Sequence, residues 1–309
     1  MKHLREVGDV GGRGGAEKLF TLADGIKSNS LKAMHNKERV AGKSVATLFF
    51  EPSTRTRLSF ETACNKLGIN ILTVENGGST STVKGESLED TIRTVAGYCD
   101  AIVMRHSDDE AAHRAAKVAG VPVISAGSGK AHHPSQAVLD TYTIREKRGE
   151  IDGASIAVVG DLKYGRTIHS LLEILSFYEN INVYGLAVGG LKMPEELIER
   201  LGSGIKYHAC EQFNDIPKDV DVLYYTRIQK ERLKDEDGEH AGEISYDDVG
   251  LNKKKLSTFG DKTYVMHPLP RNGELDPEID DDPRAIYFKQ AHNGVQTREA
   301  ILMDILVGD

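Results

Sequence analysis

Short apolar runs of strand length alternate with helix-periodic stretches through most of this chain, and that alternation restricts the fold to α/β architectures. The runs Val45–Phe50, Ile69–Val74, Ala101–Arg105 and Val121–Ser125 form a first series. Ser155–Gly160, Ile181–Tyr184, Val220–Thr226, Thr263–His267 and Ala285–Phe288 form a second. Helical spacing fills the gaps. Phe60, Ala63, Cys64 and Leu67 fall at i, i+3, i+4 and i+7, with Gly68 as a stop, and Ile168, Leu171, Leu172 and Leu175 repeat the pattern. Met193–Leu201 carries a proline in its first turn. Strands separated by helices are parallel, because a crossover is needed to return to the same edge. Two domains are therefore expected, each a mainly parallel sheet flanked by helices. The polar, turn-rich segment Arg148–Gly153 divides them. Thr297–Val307 reads as a last helix, expected to return to the first domain.

The 309 residues suffice for two domains of ordinary size. A net charge of −8 argues against nucleic acid as the main partner. No apolar stretch approaches the roughly 20 residues that span a bilayer, and the N-terminus lacks an apolar signal core. Cys64, Cys99 and Cys210 match neither a zinc spacing nor a disulfide framework, so the expected compartment is the reducing cytosol and the expected role of each is a small buried hydrophobe. Gly8–Gly15 reads as a flexible loop, and the acidic Asp235–Asp248 as a solvated mobile one.

The chemistry gathers where predicted strands end. After Val45–Phe50 comes Glu51-Pro-Ser-Thr-Arg-Thr-Arg57, in which Ser53 to Arg57 are all hydroxyl or guanidinium residues at a helix N-terminus. Backbone N–H groups, the helix dipole and an arginine there suit a phosphate dianion. Ser and Thr also cap helices, but a cap needs one or two such residues. Arg105-His106, His132-His133-Pro134-Ser135-Gln136, Arg166-Thr167, Thr226-Arg227-Ile-Gln229 and His267-Pro-Leu-Pro-Arg271 stand at further strand ends. An arginine at five edges (Arg55, Arg105, Arg166, Arg227, Arg271) in an acidic chain points to a cationic cleft for polyanionic substrates. Gly160–Thr167 nearly matches the phosphate loop of nucleotide hydrolases, with Arg166 in the lysine position and bulky residues inside. The paired His132 and His133 have no suitably spaced carboxylate or thiol, so hydrogen bonding suits them better than a metal.

These motifs, in their order and spacing, resemble the aspartate carbamoyltransferase catalytic-chain family: Ser53-Thr-Arg-Thr-Arg57, Met104-Arg-His106, His133-Pro-Ser-Gln136, Gly160-Asp-Leu-Lys-Tyr-Gly-Arg166, Thr226-Arg-Ile-Gln-Lys-Glu-Arg232 and His267-Pro-Leu-Pro-Arg271. The resemblance runs from about Ala41 to the C-terminus. It implies carbamoyl transfer from carbamoyl phosphate to L-aspartate in pyrimidine biosynthesis, without cofactor or metal. It also implies a carbamoyl-phosphate domain over residues 1–148 with the helix at about 292–309, and an aspartate domain over 149–291. By the same resemblance Ser53, Thr54, Arg55 and Thr56 hold the phosphate. Arg105, His133 and Thr56 bond the carbamoyl oxygen, Gln136 bonds its amide, and Pro268 and Leu269 complete that site. Arg166, Arg227, Gln229 and Leu269 receive the aspartate. Lys84 reaches in from a neighbouring subunit with Ser81 or Thr80, of which Ser81 is preferred, and this makes a homotrimer the expected assembly. Arg55, Thr56, Lys84, Arg105 and His133 carry the catalysis. The resemblance leaves room for zinc-containing regulatory chains as partners. The alternatives are a carbamoyltransferase for another amine such as ornithine, a nucleotide hydrolase built on Gly160–Thr167, and a non-catalytic scaffold.

Overall fold

The computed structural model describes residues 1–75, 85–129, 132–227, 246 and 249–308. The chain forms two compact units, Met1–Tyr142 with Ala291–Asp309, and Thr143–Gln290. The first holds β1 (Ser44–Phe49), β2 (Asn70–Glu75), β3 (Ala101–His106) and β4 (Val123–Ser128), all parallel, in the order β2-β1-β3-β4. Its helices are α1 (Gly12–Lys27), α2 (Leu31–Val40), α3 (Thr54–Leu67), α4 (Leu88–Ala96) and α5 (Ala111–Val118). Helix α6 (Pro134–Arg148) begins in this unit and ends in the second. The second unit holds β5 (Ser155–Gly160), β6 (Ile181–Ala187), β7 (Ile205–Cys210), β8 (Val222–Tyr225) and β9 (Tyr264–Met266), again parallel, in the order β7-β6-β5-β8-β9. Around it run α7 (Arg166–Leu175), α8 (Glu195–Arg200) and α9 (Lys253–Leu256), and α10 (Tyr287–Val307) leads back into the first unit. The α/β class and the returning C-terminal helix are as the alternation predicts.

Burial follows the parallel-sheet rule that both faces are covered. Strand β4 is buried along its whole length, and β1, β5 and β8 are buried at all or all but their first residue. Apolar residues of β1 and β3 (Ala46, Leu48, Ile102, Met104) pack with Ile92 of α4 and with Ala111 and Ala115 of α5. In the second unit Ala157, Val159, Leu223, Tyr225 and Val265 pack against Leu256, Phe259, Leu275 and Tyr287. Helix α3 ends as its spacing predicts. Gly68 takes φ 72°, and its N–H donates to the Asn65 carbonyl at 3.1 Å.

Three expectations change. Ile205–Cys210, unassigned from sequence, is the edge strand β7. It carries exposed Lys206, His208 and Ala209, so it lacks the apolar run that marks the central strands. Ala285–Phe288 is not a strand. It contributes a single bridge from Ala285 to Val265, and the final helix starts at Tyr287, ten residues before the expected Thr297. Gly8–Gly15 is not a flexible loop. Val7–Val10 is one 3₁₀ turn and α1 starts at Gly12. The glycine there serves close approach: a Cβ on Gly15 would lie 1.8 Å from the Val10 carbonyl oxygen. Asp235–Asp248 lies outside the described residues except Tyr246. Cys64 and Cys210 are buried and Cys99 half-buried, all as free thiols, and burial pushes Cys64 up to about 12.

Gly15→Ala forces that turn apart and is expected to destabilise the first unit by about 1–3 kcal/mol, read as a lower Tm. An unchanged Tm would show that the 3₁₀ turn can move aside without cost.

Candidate active site

In each sheet one place exists where successive connections leave in opposite directions. In the first it lies between β1 and β3, in the second between β5 and β8. At such a point the loops beyond the strand ends part and leave a crevice that ligands occupy. Four of the sequence motifs begin at the ends of these strands, and the other two follow the neighbouring strands β4 and β9.

In the first unit, β1 and β3 are paired up to Phe49 and Arg105, and the Phe50 N–H donates to the Arg105 carbonyl at 2.9 Å. The chain then turns through Glu51 and Pro52 into α3. Ser53 stands at the N-cap position with φ −158° and ψ 86° and makes no side-chain cap. Thr54 and Arg55 are exposed, and Thr56 is buried. Arg57 turns to Glu61, 3.9 Å away, and Glu61 accepts from Thr73 of β2 at 3.1 Å. Glu61 thus ties α3 to its sheet with Arg57 beside it, and Arg55 stands exposed at the helix N-terminus.

Arg105, at the end of β3, lies 3.4 Å from the Glu51 carboxylate and donates to the Ala126 carbonyl at 3.4 Å. These contacts aim a long side chain that would otherwise sample many rotamers. His106 is consumed locally: its Nδ1 accepts from the Asp108 N–H at 2.9 Å, and burial lowers its pKa. His133 immediately precedes α6, and its carbonyl accepts from the Gln136 and Ala137 N–H groups at 3.0 and 3.1 Å. Its side chain and that of Gln136 are largely buried. Strands β1, β3 and β4 are neighbours, so Ser53–Thr56, Arg105, His133 and Gln136 all follow the same edge of one sheet.

In the second unit, β5 and β8 come together so closely that a side chain at Gly160 is excluded. Gly160 sits at φ 126°, and a Cβ there would lie 2.3 Å from the Thr226 carbonyl oxygen. Arg166 opens α7, and Arg227 follows β8 after the buried Thr226. Both guanidinia therefore flank the same strand pair. The loop between β5 and α7 is braced internally. The Leu162 N–H donates to the Leu191 carbonyl at 3.1 Å, the Tyr164 N–H to Asp161 Oδ1 at 2.8 Å, and the Arg166 N–H to the Tyr164 carbonyl at 2.9 Å. A phosphate loop needs such N–H groups turned toward its ligand, and three of those in Gly160–Thr167 are engaged within the fold instead, which argues against that role.

His267-Pro-Leu-Pro-Arg271 resolves into parts with different duties. His267 is buried; its Nδ1 accepts from the Leu269 N–H at 2.7 Å, and its Nε2 donates to Glu274 at 2.6 Å. The Glu274 carboxylate also accepts from the Asn272 N–H at 2.8 Å. Leu269 is thereby held at φ 57°, a left-handed conformation unusual for a branched residue. Such a conformation persists where surrounding bonds over-determine it. Sequence reasoning missed Glu274; its only signal is a carboxylate seven residues after a strand-end histidine. Arg271, counted among five edge arginines, is committed elsewhere. It forms a two-pronged pair with Asp280, one bond of which is 2.7 Å, and donates to the Tyr287 hydroxyl at 3.1 Å. Arg271 is thus engaged by a carboxylate and a phenol of its own unit. Ser81, Lys84 and Gln229 lie outside the described residues. Among the described residues no cluster of His, Cys, Asp and Glu is arranged to hold a metal ion.

Two family models match the chain. Residues 2–146 match the carbamoyl-phosphate-binding domain of aspartate/ornithine carbamoyltransferases, and residues 152–305 match their aspartate/ornithine-binding domain. The chain belongs to the aspartate/ornithine carbamoyltransferase family. Within it, the chain is 44% identical to the aspartate carbamoyltransferase catalytic subunit of Methanocaldococcus jannaschii, over 99% of this chain and 98% of that protein. It is 45% identical to a chloroplastic aspartate carbamoyltransferase of Arabidopsis thaliana, over 90% of this chain and 71% of that one. The crystal structure of Trypanosoma cruzi aspartate transcarbamoylase with carbamoyl phosphate and aspartate superposes with a TM-score of 0.90 at 37% identity, covering 98% and 96% of the two chains. The likeness includes the first 40 residues, which sequence motifs alone did not reach.

The Arg271–Asp280 pair sets an acid limit. The Arg271 hydrogen bond holds Asp280 below its ordinary value of 3.8. A lowered folded-state value means that the stabilisation is fully present above 3.8 and fades as pH falls through the lowered value. Arg271→Met is expected to lower the Tm at pH 7, with the gap to the parent chain narrowing below pH 3.8. A gap independent of pH would remove the pair from the stability account.

Proposed function

We propose that this chain transfers the carbamoyl group of carbamoyl phosphate to the amine of L-aspartate, giving N-carbamoyl-L-aspartate and phosphate, as an aspartate carbamoyltransferase of pyrimidine biosynthesis. The observation that carries the reading is the pair Arg166 and Arg227 flanking the β5/β8 strand pair. Two guanidinia suit a dicarboxylate acceptor. An ornithine chain ends in an ammonium and would need an acid and an apolar cradle there instead.

In this proposal residues 1–148 with about 292–309 form the carbamoyl-phosphate domain and residues 149–291 the aspartate domain. Ser53, Thr54, Arg55 and Thr56 take the phosphate at the α3 N-terminus. Arg105, His133 and Thr56 take the carbamoyl oxygen. Gln136 and the Pro268-Leu269 backbone take its nitrogen. Arg166, Arg227 and Gln229 take the aspartate carboxylates, and the Leu269 carbonyl lies by the amine. The amine attacks the carbamoyl carbon directly, the C–O bond to phosphate breaks with its electron pair, and the departing phosphate accepts the amine proton. Holding two mutually repelling anions in reacting geometry contributes up to about 7–11 kcal/mol in favourable cases. Arg105, His133 and Thr56 then offset the charge that develops on the oxygen.

Carbamoylaspartate formation with aspartate, and no citrulline formation with ornithine, is the expected result of a direct product assay. The reverse pattern would reassign the acceptor. Arg105→Ala is expected to lower kcat by about 10²–10³, whereas Arg227→Ala is expected to act chiefly on the KM for aspartate.

The working unit is proposed as a homotrimer in the cytoplasm, with Lys84 and Ser81 supplied across a subunit interface. The "catalytic subunit" names of the relatives support an assembly. Zinc-containing regulatory chains remain compatible partners. Mixing inactive Arg55→Ala and Lys84→Ala chains is expected to regenerate some active sites, since hybrids contain interfaces with both residues intact. Hybrids with no activity would place Lys84 in its own subunit's site or outside catalysis.

A further inference from the structure

Helix α6 carries a buried carboxylate with no part in the proposed reaction. Asp140 is fully inaccessible and lies one turn after Gln136. Gln136 Nε2 donates to Asp140 Oδ1 at 2.9 Å. A carboxylate accepts only, so this bond decides which end of the Gln136 amide is which: the N–H₂ group is directed at Asp140, and the carbonyl Oε1 is the end left for a ligand. An i, i+4 Gln–Asp bond stabilises a helix by only about 0.2–0.5 kcal/mol. Burying a carboxylate costs several times that unless a cation accompanies it.

A second buried charge lies on the C-terminal helix. Arg298 of α10 is itself buried and donates from Nη1 to Ser59 Oγ of α3 at 2.9 Å. Its guanidinium lies over the Phe60 ring at 5.1 Å. It crosses α10 where Gly294 has no side chain; a Cβ there would lie 2.3 Å from Arg298 Nη1. Burial pushes the Arg298 guanidinium down to about 10, with the Asp140 charge acting in the opposite sense. Arg298 thus ties α10 to α3, which carries Thr54–Thr56, while its charge acts at longer range on Asp140 of α6.

We propose that Asp140 is a positioning residue that fixes the Gln136 amide with its oxygen toward the ligand, so that the site selects an N–H₂ group on the acyl phosphate. This rests on the proposed contact between Gln136 and the carbamoyl nitrogen. With the amide locked, Oε1 accepts from the carbamoyl N–H₂. A methyl group in the same place leaves that oxygen without its donor. Release of the lock lets the amide rotate and present N–H to either ligand, and the discrimination falls.

The test compares three ligands by equilibrium binding: carbamoyl phosphate, acetyl phosphate, which replaces N–H₂ by CH₃, and inorganic phosphate, which lacks the acyl group. Asp140→Leu combined with Arg298→Met removes both buried charges together, so no unpaired ion is left in the core. The expected result is a fall of about 3- to 10-fold in the preference for carbamoyl over acetyl phosphate, the size of one ordinary hydrogen bond, with phosphate affinity unchanged. Gln136→Ala is expected to lose the same preference. If Gln136→Ala loses it and the double variant keeps it, the positioning role is overturned while the Gln136 contact stands. If Gln136→Ala keeps it, the Gln136 contact fails and the proposal with it. If all three ligands weaken equally in the double variant, the pair merely supports the fold, and the proposal is overturned. Asp140→Asn keeps the volume and can turn either an oxygen or an N–H₂ toward Gln136. It is expected to show an intermediate preference, and full parental preference in that variant also overturns the proposal, should the double variant not fold.

Discussion

The parallel pairing of β1 with β3, and of β5 with β8, is the constraint on which the rest of the molecule depends. Parallel strands hydrogen-bonded side by side deliver their following loops to one edge. Reversal of strand order at each pair keeps those loops from crossing over one another. Ser53–Thr56 and Arg105 share one such edge, and Arg166 and Arg227 share the other. Gly160 shows how tight the second pairing is, since the Thr226 carbonyl occupies the space where any side chain would begin. Arg105 stands in the ladder itself, Arg55 and Arg166 in the first turn of the helix that follows a strand, and Arg227 two residues beyond one, which suits a reaction that depends on alignment more than on a reactive side chain.

Around this frame the structure uses buried or half-buried carboxylates to aim groups assigned to the proposed ligand sites. Glu51 lies against Arg105, Asp140 against Gln136, Asp161 against the loop before Arg166, and Glu274 against the histidine that holds Leu269. Each case costs desolvation, offset at Glu51 by the Arg105 guanidinium and at Glu274 by bonds from His267 and the Asn272 N–H. Long side chains lose substantial rotamer entropy when they are fixed. Fixing them during folding spares that loss when substrate binds. The same economy accounts for Arg57 and Arg271, whose ion pairs with Glu61 and Asp280 serve the fold.

Much of this was legible in the residues. Strand ends were recognisable because central parallel strands are apolar on both faces, and polar clusters follow them abruptly. The edge strand β7 was not, because exposure lets polar residues into it. The start of the last helix was obscured by Ala285–Phe288, whose apolar run suits strand and helix equally. The glycines of the N-terminal segment resembled those of a loop, although Gly15 serves a close contact. Arg271 could not be separated from Arg166 and Arg227 by type or position, since its partner Asp280 is nine residues away and beyond its own strand end.

The sequence by itself determined the α/β class, the strand-end clusters and their family, because periodicity and short-range motif spacing are properties of neighbouring residues. How Leu269 is held, how closely β5 and β8 approach and where Arg298 is anchored were decided only by tertiary structure. Those outcomes depend on partners far along the chain or on bonds without a local pattern: Ser59 with Arg298, Thr226 against Gly160, and Glu274 under His267. A buried charge has to find its counter-charge wherever the fold brings one, and no local spacing rule encodes that meeting.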